Sequence, residues 1–264
     1  MTVTSLFRLV AIPTPPVDLT VVIPAFNEEQ RLGPTVEQLA RFLSDRGGRF
    51  EILVVDDGST DGTVALCERL AARWPSLRVI PTAPNRGKGH AVRVGMRAAR
   101  GATVLMTDAD GSTPASEIPR VLLPILEGRA AVAIGSRYQP GAAPAAQPLW
   151  RRLWSRLVNL FIQRTLVPGV HDTQCGFKAF TADAAHDLFT RATVDGWAFD
   201  LEVLALARRL GHSVVEVPVT WHDDRRSRVR PWHDLWKVIR EAAAIKRNFD
   251  RGTYGLPAPG RIGL

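Results

Sequence analysis

FEILVVDDGSTDGT, residues 50–63, decides the fold. A short, largely β-branched apolar run stops at Asp56-Asp57, and Gly, Ser, Thr and Asp follow. Such a run reads as a strand buried on both faces. The residues after it are turn and helix-start types. The spacing predicts a helix from about Thr60 to Arg73. Upstream, DLTVVIPAFNEE repeats the pattern: an apolar run, Leu19 to Ile23, stops at Pro24. A helix over Leu32–Arg46 follows, and Gly47-Gly48 ends it. Downstream, LRVIPT is a third strand, NRGKGHAVRVGMRAARG a glycine-rich turn into a helix, and ATVLMTDAD, 102–110, a fourth strand. This alternation means right-handed βαβ units and a mainly parallel sheet. Ligands of such sheets sit beyond the C-terminal strand ends. Pro24–Glu28, Asp56–Asp61, Asn85–His90 and Asp108–Thr113 all fall there, so one shared site is expected.

The second half is patterned differently. AAVAIGSRY is a strand, and Gln139–Pro148 a Pro/Ala/Gly-rich loop. LWRRLWSRLVNLFIQRTLV and HDTQCGFKAF come next, then a helix near Ala182–Thr190 and another from about Phe199. HSVVEVPVTW reads as a strand and WHDLWKVIREAAAIKRNF as a final helix. The expected organisation is a loose arm over 1–18, one α/β domain over 19–250, and a loose Gly/Pro-rich tail over 251–264.

A net charge of +8 and a pI near 10.4 suggest an anionic partner: nucleic acid, an acidic membrane surface or a phosphorylated substrate. Two cysteines, Cys67 and Cys175, form no disulfide framework and fit a reducing cytoplasm. No Cys/His metal spacing and no signal peptide is evident, and the apolar runs fall short of the ~20 residues a span needs. Any membrane contact is therefore expected to be peripheral, from the cytoplasmic side.

At the strand ends, Asp56 and Asp57 read either as turn residues or as unpaired acceptors for a nucleobase N–H or ribose hydroxyls. Arg86 and Lys88 stand on a loop whose glycines permit close backbone approach, although the Walker pattern is absent. Asp108 and Asp110 project the same way if their strand continues. Two hard oxygen ligands beside a diphosphate suit Mg²⁺ or Mn²⁺. DADGS after an apolar strand also resembles the haloacid dehalogenase phosphatases. In those the motif usually lies on the first strand, whereas three βα units precede it here.

VVIPAFNEE, VVDDGSTDGT, NRGKGHA and TDADGST, in this order, resemble the family 2 glycosyltransferases of GT-A (Rossmann-like) fold. IGSRY, VHDTQCGFKAF, GWAFDLEVLALARRLG and EVPVTWHDDRRSRVRPWHDLWKVI are similar to the dolichyl-phosphate β-glucosyltransferases. The dolichyl- and polyprenyl-phosphate mannose synthases share the first half. The resemblance implies inverting transfer from a nucleotide sugar, UDP-glucose or alternatively GDP-mannose, to a polyprenyl or dolichyl phosphate. It implies that Pro24, Ala25, Asn27, Glu28 and Asp56 cradle the nucleoside, and that Asp108 and Asp110 serve ribose, diphosphate and metal. Arg137 and Arg151, with Ser155, would hold the acceptor phosphate; Asp110, Arg137 and Arg151 would carry the reaction. Two departures stand out: His90 where a glycine is common, and Ser227-Arg228-Val229 in place of Ser-Lys-Leu. The N-terminal membrane helix of eukaryotic relatives is not seen, which suggests a bacterial or otherwise soluble version.

A lipid monophosphate is mostly ionised near neutral pH (second pKa ~6) and needs no general base. It needs cations to hold two anions together and relief for the leaving group. Arg137, Arg151 and Lys88 suit that task. Asp172, Lys178, Asp200 and Glu202 are either site-wall residues or plain salt bridges and caps. From Arg137 to His171 there are five arginines and no acid, interleaved with Trp150, Trp154, Leu157, Phe161 and Leu166. Trp232, Leu235, Trp236, Ile239, Ala243 and Phe249 repeat the theme. Helices over about 149–167 and 232–249 are thus expected at an acidic lipid interface, or else packed in the core. The diphosphate constellation argues against nucleic acid. A non-catalytic nucleotide-binding module is the remaining alternative.

Overall fold

The computed structural model describes residues 17–144, 167–222 and 231–256, with only the backbone for 143–144 and 231–239. Its strands are β1 (Val17–Ala25), β2 (Phe50–Asp57), β3 (Leu77–Thr82), β4 (Gly101–Met106), β5 (Val132–Ser136), β6 (Ala143–Pro144), β7 (Lys178–Thr181), β8 (Val214–Pro218) and β9 (Thr220–Trp221). The helices are α1 (Leu32–Ser44), α2 (Thr63–Arg73), α3 (Lys88–Ala98), α4 (Ile118–Leu126), α5 (Ala182–Arg191), α6 (Phe199–Arg209) and α7 (Pro231–Asp250).

Seven strands form one sheet in the order β3-β2-β1-β4-β7-β5-β8, and β6 pairs with β9 beside it. β1, β2, β3 and β4 are parallel, as are β5 and β8. β7 alone runs against its neighbours β4 and β5. The βαβ reading holds, and its reason is visible in β1 and β2: every residue from Leu19 to Ala25 and from Glu51 to Asp57 is buried. α1 and α2 pack together over one part of the sheet, while α3 packs on β1 and β2 and against α5 and α6.

Several expectations are corrected. The arm does not reach Asp18: Val17 pairs with Gly101, and Asp18 N donates to Arg49 O. β4 ends at Met106 and does not continue to Asp110. Thr107 N still reaches Val22 O, but Ala109 O is taken by the Thr35 hydroxyl at 2.8 Å. Asp110 Oδ1 then receives Ser112 N, and Gly111 turns at φ +66°. Asp108 and Asp110 therefore sit on a turn. HSVVEVPVTW splits between the two sheets as β8 and β9. The tail is ordered through 256: Tyr254 is buried, its ring 4.6 Å from Phe249, and its hydroxyl donates to Glu202. α4 and β7 carry no expectation from the sequence pattern. The expected helix over 149–167 lies outside the described residues. The final helix is present, but the side chains of Trp232, Leu235, Trp236 and Ile239 lie outside them as well.

Candidate active site

The chain leaves β1 toward β2 and returns from β3, past both, to β4. The crevice at the ends of β1 and β4 is thus a topological switch point. Four loops meet there. Asn27, in the left-handed region at φ +56°, clamps the β1 loop to the β2 loop. Its Oδ1 accepts from Thr60 N (2.8 Å) and Asp61 N (3.3 Å), and its N donates to Ser59 Oγ. Glu28 N donates to Thr63 Oγ1, and the Glu28 carboxylate pairs with Arg31. The Asn27 side chain and the Glu28 backbone therefore brace the β1 loop on the β2 loop, with Pro24 and Ala25 forming the strand end beneath them.

Asp56 and Asp57 have opposite fates. Asp57 is not an unpaired acceptor: it receives Arg86 N (3.1 Å), Gly87 N (2.6 Å), the Thr82 hydroxyl (3.3 Å) and sits 3.2 Å from His90 Nδ1. It holds the basic loop, and His90 stands where it does to complete that network. Asp56 Oδ2 accepts from Ser59 N, but its Oδ1 is buried with no partner among the described residues. A buried acceptor left unmade costs about 1–3 kcal/mol, so this oxygen could accept a hydrogen bond from a ligand donor.

The basic loop's glycines approach protein rather than open space. A Cβ on Gly87 would lie 2.5 Å from Asp195 O, and one on Gly89 2.5 Å from Val194 O. The turn 193–198 is held in return. Arg86 and Arg93 both pair with Asp195, whose carboxyl lies below its usual range: burial opposes the charge, but the two guanidinium hydrogen bonds outweigh it. Arg86 is therefore turned to Asp195. Lys88 opens α3 and reaches Asp108 at 2.6 Å.

Around that pair a charged cluster forms. Burial works against the Lys88 ammonium, but Asp108 and Asp200 raise its pKa above the ordinary value. Burial likewise opposes the Asp108 charge, and Lys88 holds that carboxyl below its usual range. Gly176 lies directly against the Asp108 carboxylate, with no room for a Cβ. Lys178, fully buried, reaches Asp200 and Cys175 O, both at 2.5 Å. Burial nevertheless raises the Asp200 carboxyl, with Lys178 opposing incompletely. Burial also pushes the Cys175 thiol up to about 11, so it is no nucleophile.

On the β5 side, Arg137 makes a bidentate pair with buried Asp172 through Nε and Nη2, both at 2.8 Å. Its ring neighbours are Tyr138 at 5.8 Å and Trp221 at 5.4 Å. Burial opposes the guanidinium charge, and Asp172 more than restores it. Glu216 fixes Asp172 in turn, accepting its N at 2.8 Å and His171 N and Nδ1. Arg151 and Ser155 lie outside the described residues. Asp172, Lys178 and Asp200 are indeed paired, and Glu202 serves the backbone of Thr193 and Val194. Reasoning from the sequence missed Gly176, Asp195 and Glu216, because each acts on a residue distant in the chain.

Among the described residues no three His, Cys, Asp or Glu side chains converge as a metal cage. The donor set still fits a hard divalent cation. Asp108 and Asp110 offer carboxylate oxygens beside the switch point, and such ions complete their shells with phosphate and water.

The switch-point crevice thus brings opposed carboxylates and cations together. Residues 20–189 match the glycosyl transferase family 2 model; the chain belongs to that family and is a glycosyltransferase. It is 32% identical over 250 residues to a dolichyl-phosphate beta-glucosyltransferase of Dictyostelium discoideum, covering 90% of this chain and 76% of that protein. It is 32% identical over 256 residues to the human dolichyl-phosphate beta-glucosyltransferase, covering 92% and 79%. A Mycobacterium tuberculosis glucosyl-3-phosphoglycerate synthase, crystallised with Mn²⁺, UDP and glucosyl-3-phosphoglycerate, superposes with TM-score 0.65 at 22% identity. That match covers 94% of this chain and 83% of the synthase, and it shows the GT-A-like fold.

Proposed function

We propose that this chain transfers glucose, with inversion, from UDP-glucose to the phosphate of a dolichyl or other polyprenyl lipid, releasing UDP. The observation that carries the reading is the switch-point cluster: unpaired Asp56 Oδ1 on one side, Lys88–Asp108 with Asp110 on the other. Asp56 Oδ1 accepts the base N–H. Lys88 stands where negative charge develops on the departing diphosphate, and its raised pKa keeps it charged. Mg²⁺ or Mn²⁺, held by Asp108 and Asp110, would supply further charge neutralisation to the leaving group. Arg137, braced by Asp172, holds the acceptor phosphate, and Arg151 and Ser155 assist it. The phosphate attacks as an anion, so no side chain has to accept its proton.

The relatives' names support glucose and a dolichyl phosphate acceptor. The basic, Trp-bearing segments support an acidic membrane surface as partner. No helix among the described residues is long and apolar enough to cross a membrane. Donor competition tests the reading: UDP-glucose and GDP-mannose, each labelled, are offered with a short polyprenyl phosphate and Mg²⁺ or Mn²⁺. Lipid-extractable label from UDP-glucose, lost with EDTA, is expected. Label from GDP-mannose alone, or nucleotide binding without transfer, overturns it. Recovery with acidic liposomes that falls as salt rises is expected for the membrane contact; equal recovery with and without liposomes refutes that contact.

A further inference from the structure

The turn 193–198 is held from every side except one. Glu202 receives Thr193 N at 2.9 Å and Val194 N at 2.9 Å. Asp195 O receives His90 N, and the Asp195 carboxylate receives Arg86 and Arg93. Glu241 of α7 receives Ala198 N at 2.7 Å and leaves no room for a Cβ on Gly196. None of these contacts involves the Trp197 side chain, which remains 44% exposed. The next aromatic, Phe199, is buried.

We propose that Trp197 is the platform for the hexose ring of the donor, a reading that rests on the donor assigned above. The indole lies 5.5 Å from Lys88 Nζ, the ammonium that holds Asp108 at 2.6 Å. A sugar attached to a diphosphate beside Lys88 therefore comes within reach of this ring. An exposed indole on a braced turn is a preorganised apolar face, which binds without a cost for ordering the turn. Glucose suits such a face because its ring hydroxyls are equatorial and its C–H bonds form a flat apolar surface. Mannose carries an axial hydroxyl at C2, so the same face reads the epimer. Trp197 is thus a specificity-determining residue that makes no bond to the reacting atoms.

The test measures equilibrium binding of UDP and of UDP-glucose, with Mn²⁺ and no acceptor, to the full chain and to Trp197→Ala and Trp197→Phe. Loss of one aromatic contact is expected to weaken UDP-glucose about tenfold in Trp197→Ala, with UDP itself changed less than about twofold. Trp197→Phe keeps a π face and is expected to stay within about threefold of the parent. Equal weakening of both ligands in Trp197→Ala would mean the residue only supports the turn, and overturns the platform. Unchanged UDP-glucose affinity with a raised KM for the polyprenyl phosphate assigns the indole to the acceptor and overturns it too. A parent chain that transfers sugar from GDP-mannose and none from UDP-glucose overturns the donor reading itself, and the platform with it.

Discussion

Gly176→Ala isolates the seat of Asp108. A methyl there would overlap Asp108 Oδ2 and stand 2.5 Å from its Cγ, against about 3.5–4.0 Å for relaxed carbon contacts. The carboxylate must retreat by roughly 1 Å to restore that spacing. Its 2.6 Å bond to Lys88 then stretches past the ~3.2 Å limit of a good N–H···O bond. Overpacking of this kind costs about 1–3 kcal/mol, read as a lower urea midpoint at constant slope. Transfer falls about 100-fold, the effect of a misplacement near 1 Å in a site. The cycle with Asp108→Ala is decisive. Once the carboxylate is gone the methyl's three nearest contacts go with it, so Gly176→Ala costs less in that background, a coupling of about 1–2 kcal/mol. The same stability loss in both backgrounds, or wild-type kcat/KM in Gly176→Ala, refutes the reasoning.

Lys88→Met removes the cation that keeps the Asp108 carboxyl low while its burial remains. The acid limb of kcat/KM against pH therefore moves to higher pH; an unmoved limb argues that Asp108 is not the group titrating. Asp195 has a folded pKa below its ordinary value of 3.8, so its stabilisation is present above about pH 4 and disappears as pH falls through the folded value. Asp195→Asn should lower the urea midpoint at pH 6, with the gap to wild type narrowing as pH falls below about 4, whereas a constant gap contradicts the linkage. Lys178→Met strands Asp200 in the interior and costs about 3–5 kcal/mol, most of it recovered by adding Asp200→Leu; denaturation of the two variants checks this. Glu202→Ala leaves Thr193 N and Val194 N without their acceptor and is expected to cost about 2–4 kcal/mol by chemical denaturation.

The first half of the fold was legible because parallel strands buried on both faces write continuous apolar runs, as in Val21–Ile23 and Ile52–Val55. β3 matches LRVIPT residue for residue. β7 was not legible: four residues, Lys178–Thr181, open on a lysine whose burial depends on Asp200, twenty-two positions away. At the site, residue types were readable and partners were not. Asp56 and Asp57 are adjacent and chemically alike. Only the path of the 82–90 loop decides that Asp57 is consumed by backbone N–H groups while one oxygen of Asp56 stays unmade. The close approach that the glycines permit was legible, but not what makes it: Gly87 and Gly89 give room to the backbone of residues 194–196.

The reversed direction of β7 has a consequence for how such enzymes diversify. Lys178, at its start, stands opposite Met106 and Ile134, near the exits of β4 and β5. The chain leaves the sheet after Ser136 and rejoins it at Lys178 on that same edge. The chain between these two points thus starts and ends at one edge of the sheet, beside the candidate site. Arg137 and Asp172 lock the two feet of this excursion together. Between fixed feet, added length is entropically cheap, and the one register within the described part of the excursion is the short pairing of β6 with β9. Length can therefore vary between Arg137 and Asp172, whereas Gly176, which seats Asp108, ties the returning end to the nucleotide half.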